Sequence, residues 1–340
     1  MTGAEARLPR GLHFADDREP GITRVRRGRG FTYRAPDGTT VADETAKARI
    51  AAIAVPPAWT DVWIAPDPDA HLQATGRDAK GRKQYRYHAR YRAQRDDMKF
   101  ERLPEFGEAL GPLRKQIAAD LRRRGLDHDT VVATVVHLLE RTLIRVGNDE
   151  YARQNGSYGL TTLRAPQVKV KGSEVRFVFT GKSGKDHEID VEDRLAARTV
   201  RRCQELPGQR LFRYRSPDGT LRPIGSADVN EYLRRVTGGD FTAKDFRTWM
   251  ATLMAAVALA GLEPSESERG RARTVKTVMQ VVGSRLGNTA TVARASYVHP
   301  KVVAAFEAGT LGPTWDRLRA RDRRWLTGEE ATLVRLLRRA

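Results

Sequence analysis

A tyrosine that could be set among cations is the strongest chemical signal in this chain. Tyr297 stands in LGNTATVARASYVHP, nine residues after Asn288, and three cationic residues lie in separate upstream segments: Arg145 in RVGNDEY, Lys182 in FTGKSGKD and Arg247 in KDFRTW. A free phenol ionises near pH 10, so it attacks poorly at neutral pH unless cations stabilise its anion. Guanidinium forks match the nonbridging oxygens of a phosphate, and an ammonium can protonate a departing alkoxide. An amide can add a hydrogen bond to a phosphate oxygen, and unlike histidine it does not titrate. Together the residue types point to tyrosine attack on a phosphodiester, with side chains neutralising the charge that develops.

Composition supplies the substrate class. The chain has 340 residues, 61 Lys and Arg against 42 Asp and Glu, and a formal net charge of +19. Such an excess calls for a polyanionic partner, most simply the phosphate backbone of nucleic acid, with a membrane surface the weaker reading, and for binding that weakens steeply as salt rises. The single cysteine, Cys203, excludes an internal disulfide and a zinc site built on cysteines. No apolar run reaches the length of a membrane span, and the opening MTGAEARLPRGLHF has no signal-peptide core. A soluble cytoplasmic protein associated with the nucleoid, and not with a membrane, is expected.

These residues need a scaffold, and the texture of the sequence predicts an α+β chain of two domains. Residues 1–95 read as short extended pieces, with a turn at Pro36-Asp37-Gly38 and one helix over 43–53. Residues 96–340 read as mainly α-helical. FGEALGPLRKQIAADLRRRG and DTVVATVVHLLERTLIRVG carry helical periodicity, the second capped by Asp129 or Thr130, and further helices are predicted over 192–205, 226–236, 243–260, 269–286, 299–308 and 328–338, with Thr327 capping the last. Between them the period switches to two in TTLRAPQVKV, SEVRFVFTG and KDHEIDV, which predicts a compact three-stranded antiparallel sheet.

Five motifs in order, GRDAKGRKQYRYH at 76–88, RVGNDEYARQNGSYGLTTL at 145–163, FTGKSGKDHE, KDFRTW and LGNTATVARASYVHP, resemble the type IB DNA topoisomerases, in particular the compact poxviral and bacterial branch. The resemblance implies a tyrosine recombinase/topoisomerase IB-like fold that closes on duplex DNA as a clamp. It also implies relaxation of supercoils by cutting one strand, swivelling and rejoining, in a monomer, without metal, nucleotide or other cofactor. By the same resemblance Tyr297 takes the DNA 3′-phosphate and frees a 5′-hydroxyl, Arg145 and Arg247 clamp the phosphate, and Lys182 is the general acid. Asn288 stands where viral relatives have histidine and would be an oxygen donor. Arg82, Lys83, Gln84, Tyr85 and Tyr87 are expected to hold DNA, Gln84 and Tyr85 through the major groove, and Tyr151 to touch it near the cleavage site.

Other features are expected to be structural. GKS at 181–183 lacks the Walker pattern because Arg176 occupies the position of its first glycine. Asp149, Glu150 and Asp186 are read as surface groups, His137 as a satisfied core histidine, His299 as a helix cap and Trp249 as packing, while His187 has no obvious role. A site-specific tyrosine recombinase is the nearest rival; it is disfavoured because Lys244 stands where recombinases carry the histidine of a His-x-x-Arg box. A basic protein that only coats DNA is the other.

Overall fold

The computed structural model describes residues 8–339, so the first seven residues of the opening segment, and of the predicted first domain, lie outside it. The chain divides into two compact units, one up to Phe100 and one from Glu101.

The first unit is a five-stranded antiparallel sheet in the order β2-β1-β3-β4-β5, built from β1 (Ile22–Arg27), β2 (Gly30–Arg34), β3 (Thr60–Ile64), β4 (Leu72–Arg77) and β5 (Lys83–Tyr87). Helix α1 (Glu44–Ile53) starts on Asp43, whose carboxylate accepts from the Ala46 amide, and it buries Ile50 against Ile22, Val62, Ile64 and Ala74. The predicted turn forms at Ala35–Thr39 with Gly38 at φ 83°. Helix α2 (Ala89–Glu101) is unforeseen, its mean hydropathy being low, and it runs across the expected domain boundary at 95/96.

The second unit is mainly helical. Its elements are α3 (Leu103–Asp120), α4 (His128–Thr142), α5 (Asp149–Asn155), β6 (Val168–Lys171), β7 (Glu174–Thr180), β8 (Asp186–Glu192), α6 (Arg194–Gln204), β9 (Arg213–Arg215), β10 (Leu221–Pro223), α7 (Ser226–Thr237), α8 (Ala243–Ala260), α9 (Glu268–Arg285), α10 (Ala290–Ser296), α11 (Pro300–Glu307), α12 (Leu311–Leu318) and α13 (Gly328–Arg338). Strands β6, β7 and β8 form the expected antiparallel sheet. In β7 the period of two is plain: Val175, Phe177 and Phe179 face the core, whereas Arg176 and Val178 face out.

Helix α4 is apolar on almost every side, with Val131, Val132, Val135, Val136 and Leu138 fully buried, and so runs through the interior. Helix α8 is its neighbour and uses small residues, Ala251, Ala255 and Ala256, for close packing. Trp249 is buried as expected and lies where any side chain on Gly107 would collide with it.

Three local readings need correction. The cap of α4 is Asp127, whose carboxylate accepts from the Thr130 amide, so neither Asp129 nor Thr130 caps it, and the helix stops at Thr142, short of Arg145. TTLRAPQVKV is extended only from Val168; before it Leu160–Thr162 and Ala165–Gln167 are single 3-10 turns, the second with Pro166 in its first turn. The short helices α5, α10 and α12, of seven or eight residues, escaped a reading that relies on long periodic runs.

Candidate active site

Arg145 sits in a loop made by the abrupt end of α4. Leu143 takes a left-handed backbone, φ 58°, and its amide bonds the Leu139 carbonyl; such a conformation costs a non-glycine residue about 1–2 kcal/mol. The strand of chain at 159–161 then pins the loop. The Leu160 amide donates to the Arg145 carbonyl at 2.9 Å, and the Thr161 amide to the Val146 carbonyl at 2.7 Å. Gly159 makes this approach possible, because a Cβ there would lie 2.4 Å from the Arg145 carbonyl oxygen. From the same turn the Tyr158 amide reaches the Thr180 carbonyl at the end of β7, immediately before the turn that carries Lys182. The long motif at 145–163 therefore ties the arginine loop to the lysine hairpin.

Arg247 gathers the remaining parts. It lies on the first turns of α8, is 5% exposed, and donates through Nη1 to the Leu143 carbonyl and through Nη2 to the Leu286 carbonyl, the latter at 2.6 Å. Leu143 is two residues before Arg145, and Leu286, at the end of α9, is two residues before Asn288. One guanidinium thus fixes the backbone leading into two other site residues, and the partly negative C-terminal ends of two helices help to hold its charge. Arg145 and Asn288 meet directly, Nη2 to Oδ1 at 2.8 Å.

Tyr297 follows α10 and is half-buried, with its ring 5.2 Å from the Arg247 guanidinium carbon. Its backbone is held by α8 as well. The buried Thr252 hydroxyl donates to the Tyr297 carbonyl and accepts from the His299 amide, both at 3.1 Å. Burial alone would push the phenol up, yet its pKa lies below the usual tyrosine value, because Arg247, Arg145 and Lys244 favour the anion. A reaction that uses the Tyr297 anion should therefore speed up with pH and level off before the ordinary tyrosine value of about 10. Arg247→Gln should move that break upward, and a single-turnover profile that still rises unbroken past the usual phenol range would contradict the assignment.

Lys182 is exposed on a one-turn helix between β7 and β8, next to Ser183 at φ 66°. With Leu143, Arg145, His187, Arg247 and Leu286 it lines a cleft of about 360 Å³. So the fold brings Arg145, Lys182 and Arg247 to one cleft, joins Asn288 to it through Arg145, and places Tyr297 beside Arg247. Two donors in this group, Arg247 Nε and Asn288 Nδ2, are buried without a hydrogen-bond partner among the described residues. The residues that sequence reasoning left without a role here are Thr252, Lys244 and His187. Thr252 has no signal of its own, since a threonine inside a helix normally bonds the preceding turn.

The groups expected to be structural have local partners, although His137 is half-buried rather than in the core and Asp186 lines the cleft. His137 bonds Asp193 at 2.7 Å, the His299 ring accepts from the Lys301 amide at the start of α11, and Asp149 pairs with Arg210 at 2.6 Å. Asp186 accepts from the Thr180 hydroxyl.

In the first unit, strand β5 alternates exposed Lys83, Tyr85 and Tyr87 with half-buried Gln84 and Arg86. Tyr85 and Tyr87 are stacked, 6.1 Å apart with planes 9° from parallel, and stand 47% and 38% exposed. Gln84 is on the other face and donates to Asp78 at 3.0 Å, where Arg82 also binds at 2.6 Å; Lys83 pairs with Asp17 at 2.5 Å. Tyr151 is exposed on the first turn of α5, directly after the Arg145 loop.

A helical domain that brings two arginines and a lysine to one cleft, with a tyrosine beside one of those arginines and a separate sheet unit, holds the groups that the tyrosine-dependent class of DNA-acting proteins requires. Comparison with known proteins specifies it. The catalytic core of eukaryotic DNA topoisomerase I matches residues 88–312, and the N-terminal domain of bacterial DNA topoisomerase IB matches residues 30–78. DNA topoisomerase 1B of Acanthamoeba polyphaga mimivirus is 32% identical over 285 residues, covering 82% of this chain and 85% of the viral protein. DNA topoisomerase 1B of Vaccinia virus (strain Copenhagen) is 27% identical over 119 residues, 34% of this chain and 37% of the viral one, and DNA topoisomerase 1 of Mycosarcoma maydis is 22% identical over 181 residues, 48% and 18%. The chain belongs to the type IB DNA topoisomerase family, and its function is that of a DNA topoisomerase, an isomerase acting on DNA. Among the described residues no helix is long and apolar enough to cross a membrane.

Proposed function

We propose that Tyr297 attacks a phosphodiester of duplex DNA, retains the 3′-phosphate as a phosphotyrosine and releases a 5′-hydroxyl. That hydroxyl attacks the phosphotyrosine after the cut strand has swivelled. The phosphotyrosine conserves the energy of the broken diester, so rejoining needs no nucleotide. Arg145 and Arg247 bind the nonbridging oxygens as charge grows on them, Lys182 protonates the departing 5′ oxygen, and Asn288 donates its amide hydrogen to a phosphate oxygen.

The observation that carries this reading is the pair of buried, unpartnered donors at Arg247 Nε and Asn288 Nδ2. The Asn288 oxygen is engaged by Arg145, which leaves its NH₂ as the free end. An unmade hydrogen bond on a buried donor costs about 1–3 kcal/mol; an anion arriving between these groups would recover that cost. On the first unit, Arg82, Lys83, Gln84, Tyr85 and Tyr87 contact the duplex, Tyr151 does so from the second, and the two units act as a clamp in a monomer. Since Lys83 and Tyr85 share the outer face and Gln84 lies on the other, Tyr85 and Tyr87 are the primary groove contacts, and Gln84 must leave Asp78 to join them.

A supercoiled plasmid without recombination targets, incubated with the protein in chelator and without nucleotide, tests the reading. The expected products are relaxed topoisomers and, after denaturation, protein attached to the 3′ side of the cut. Attachment at the 5′ side, or relaxation only when a metal ion or nucleotide is supplied, overturns it.

A further inference from the structure

His187 lines the cleft without a part in the proposed chemistry, and it occupies an unusual place. Its ring lies flat on Phe179, 5.1 Å between centroids and 20° from parallel. Its edges press on two glycines. A Cβ on Gly181 would lie 2.7 Å from the imidazole, and one on Gly287 would lie 3.0 Å from it. Gly181 immediately precedes Lys182, and Gly287 immediately precedes Asn288. One ring therefore fills the gap between the turn that carries the lysine and the turn that carries the asparagine, and both turns lack side chains where they meet it.

We infer that His187 is a positioning residue: a wedge that sets the Lys182 turn against the Gly287 turn, so that the ammonium reaches the leaving oxygen of the phosphate held in the cleft. The Lys182 turn needs such support. Its own backbone is closed by the Gly181 amide on the Lys185 carbonyl at 2.7 Å, but the lysine side chain is exposed and extends from a hairpin tip. The neutral state of the wedge suits its surroundings. Burial, with Arg145, Arg247 and Lys185 nearby, holds the imidazole below its usual pKa, against the opposite pull of Asp186. A charged ring would add another cation to a site already crowded with them, and would compete with Lys182 for the substrate. A flat apolar face against Phe179 and two glycine Cα atoms is what packing requires of it; a proton donor is not.

The inference rests on Lys182 being the general acid, and the experiment separates the two. Single-turnover cleavage is followed on a duplex whose cut site has been mapped with this protein, once with the natural 5′ oxygen and once with sulfur bridging at that position. A 5′-thiolate is a far weaker base than an alkoxide and departs without a proton, so it bypasses the acid. His187→Ala opens the gap and should slow cleavage of the oxygen substrate by about 100-fold, the low end of a general-acid contribution, with most of the loss recovered on sulfur and DNA affinity unchanged. His187→Phe keeps a flat ring of similar breadth and should stay within about threefold of wild type on both substrates. Equal slowing of His187→Ala on oxygen and sulfur would overturn the inference, as would a His187→Phe protein as slow as His187→Ala. Lys182→Ala is the companion variant. If it is not recovered on sulfur, the acid reading itself fails and the wedge falls with it; if it is recovered while His187→Ala is not, only the wedge is wrong.

Discussion

Tyr297→Phe is expected to bind duplex DNA as wild type does and never to become attached to it. The substitution removes one oxygen and its hydrogen bond with Arg247 but keeps the rest: the guanidinium remains a favourable neighbour for an aromatic face, and the Thr252 bonds go to the backbone on either side. The fold should therefore survive, with a melting temperature near that of wild type. Catalysis should not, because loss of an enzyme nucleophile costs on the order of 10⁴–10⁶ in rate. Denaturing electrophoresis of protein mixed with labelled duplex is the direct measurement. It should show a slow-migrating adduct for wild type and none for the variant, while filter binding reads the same affinity for both. A persistent adduct in the variant would mean that another side chain forms the bond, and the site described above would be the wrong one. Equal loss of binding and cleavage would instead make Tyr297 a binding residue. A protein that merely coats DNA shows no adduct in either form.

The site was legible in the sequence where residue type alone carries the chemistry, and illegible where backbone carries it. Tyr297, Arg145, Lys182, Arg247 and Asn288 stand in separate motifs, and each has a functional group that phosphoryl transfer uses. Their meeting depends on features no spacing rule reports. The carbonyls of Leu143 and Leu286 become the seats of Arg247 because two helices end there, one through a leucine in a left-handed conformation that residue preferences argue against. Gly159, unremarkable in GSYGLTTL, is required only because the chain returns across the Arg145 loop at close range. His187 shows no role in the sequence because one of the two glycines it touches, Gly287, lies a hundred positions away.

The fold follows the same division. Long periodic segments such as α8 and α13 lie where the apolar spacing puts them, since their burial is written in the sequence. The cap at Thr327 is likewise local chemistry, a hydroxyl accepting from the Glu330 amide. Short helices behave differently: α5 buries no residue and is started by Asn148 and ended by Gly156, so only its caps, not its periodicity, could have announced it. The position of Gln84 shows a further limit. Gln84 and Tyr85 look like one contact set in the sequence, but adjacent residues of a strand point to opposite faces, and only the pairing of β5 with β4 shows which face is exposed.

Arg247→Gln is expected to lose stability and rate together, whereas Arg145→Gln should lose mainly rate. The two arginines would make similar contacts with the phosphate, but the protein uses them differently. Arg247 is 5% exposed and bonds the backbone carbonyls of two buried leucines at helix ends. Each carbonyl left unpaired costs about 1–3 kcal/mol, and the shorter amide of glutamine cannot reach both. The loops leading to Arg145 and Asn288 would then loosen. Arg145 is half-buried, and among the described residues its side chain bonds only Asn288, so its removal leaves one amide oxygen without its partner. For rate, loss of a donor aimed at developing phosphate charge costs about 10²–10³. Arg247→Gln should exceed that range, because it removes the donor and also disturbs the backbone that positions two more. Thermal unfolding together with single-turnover cleavage reads both effects: the expected pattern is a lowered melting temperature for Arg247→Gln alone and a smaller rate loss for Arg145→Gln. An Arg247→Gln protein that melts with wild type would show that the guanidinium serves the phosphate and not the frame. In that case the convergence of Leu143, Leu286 and Tyr297 on one side chain would need another cause.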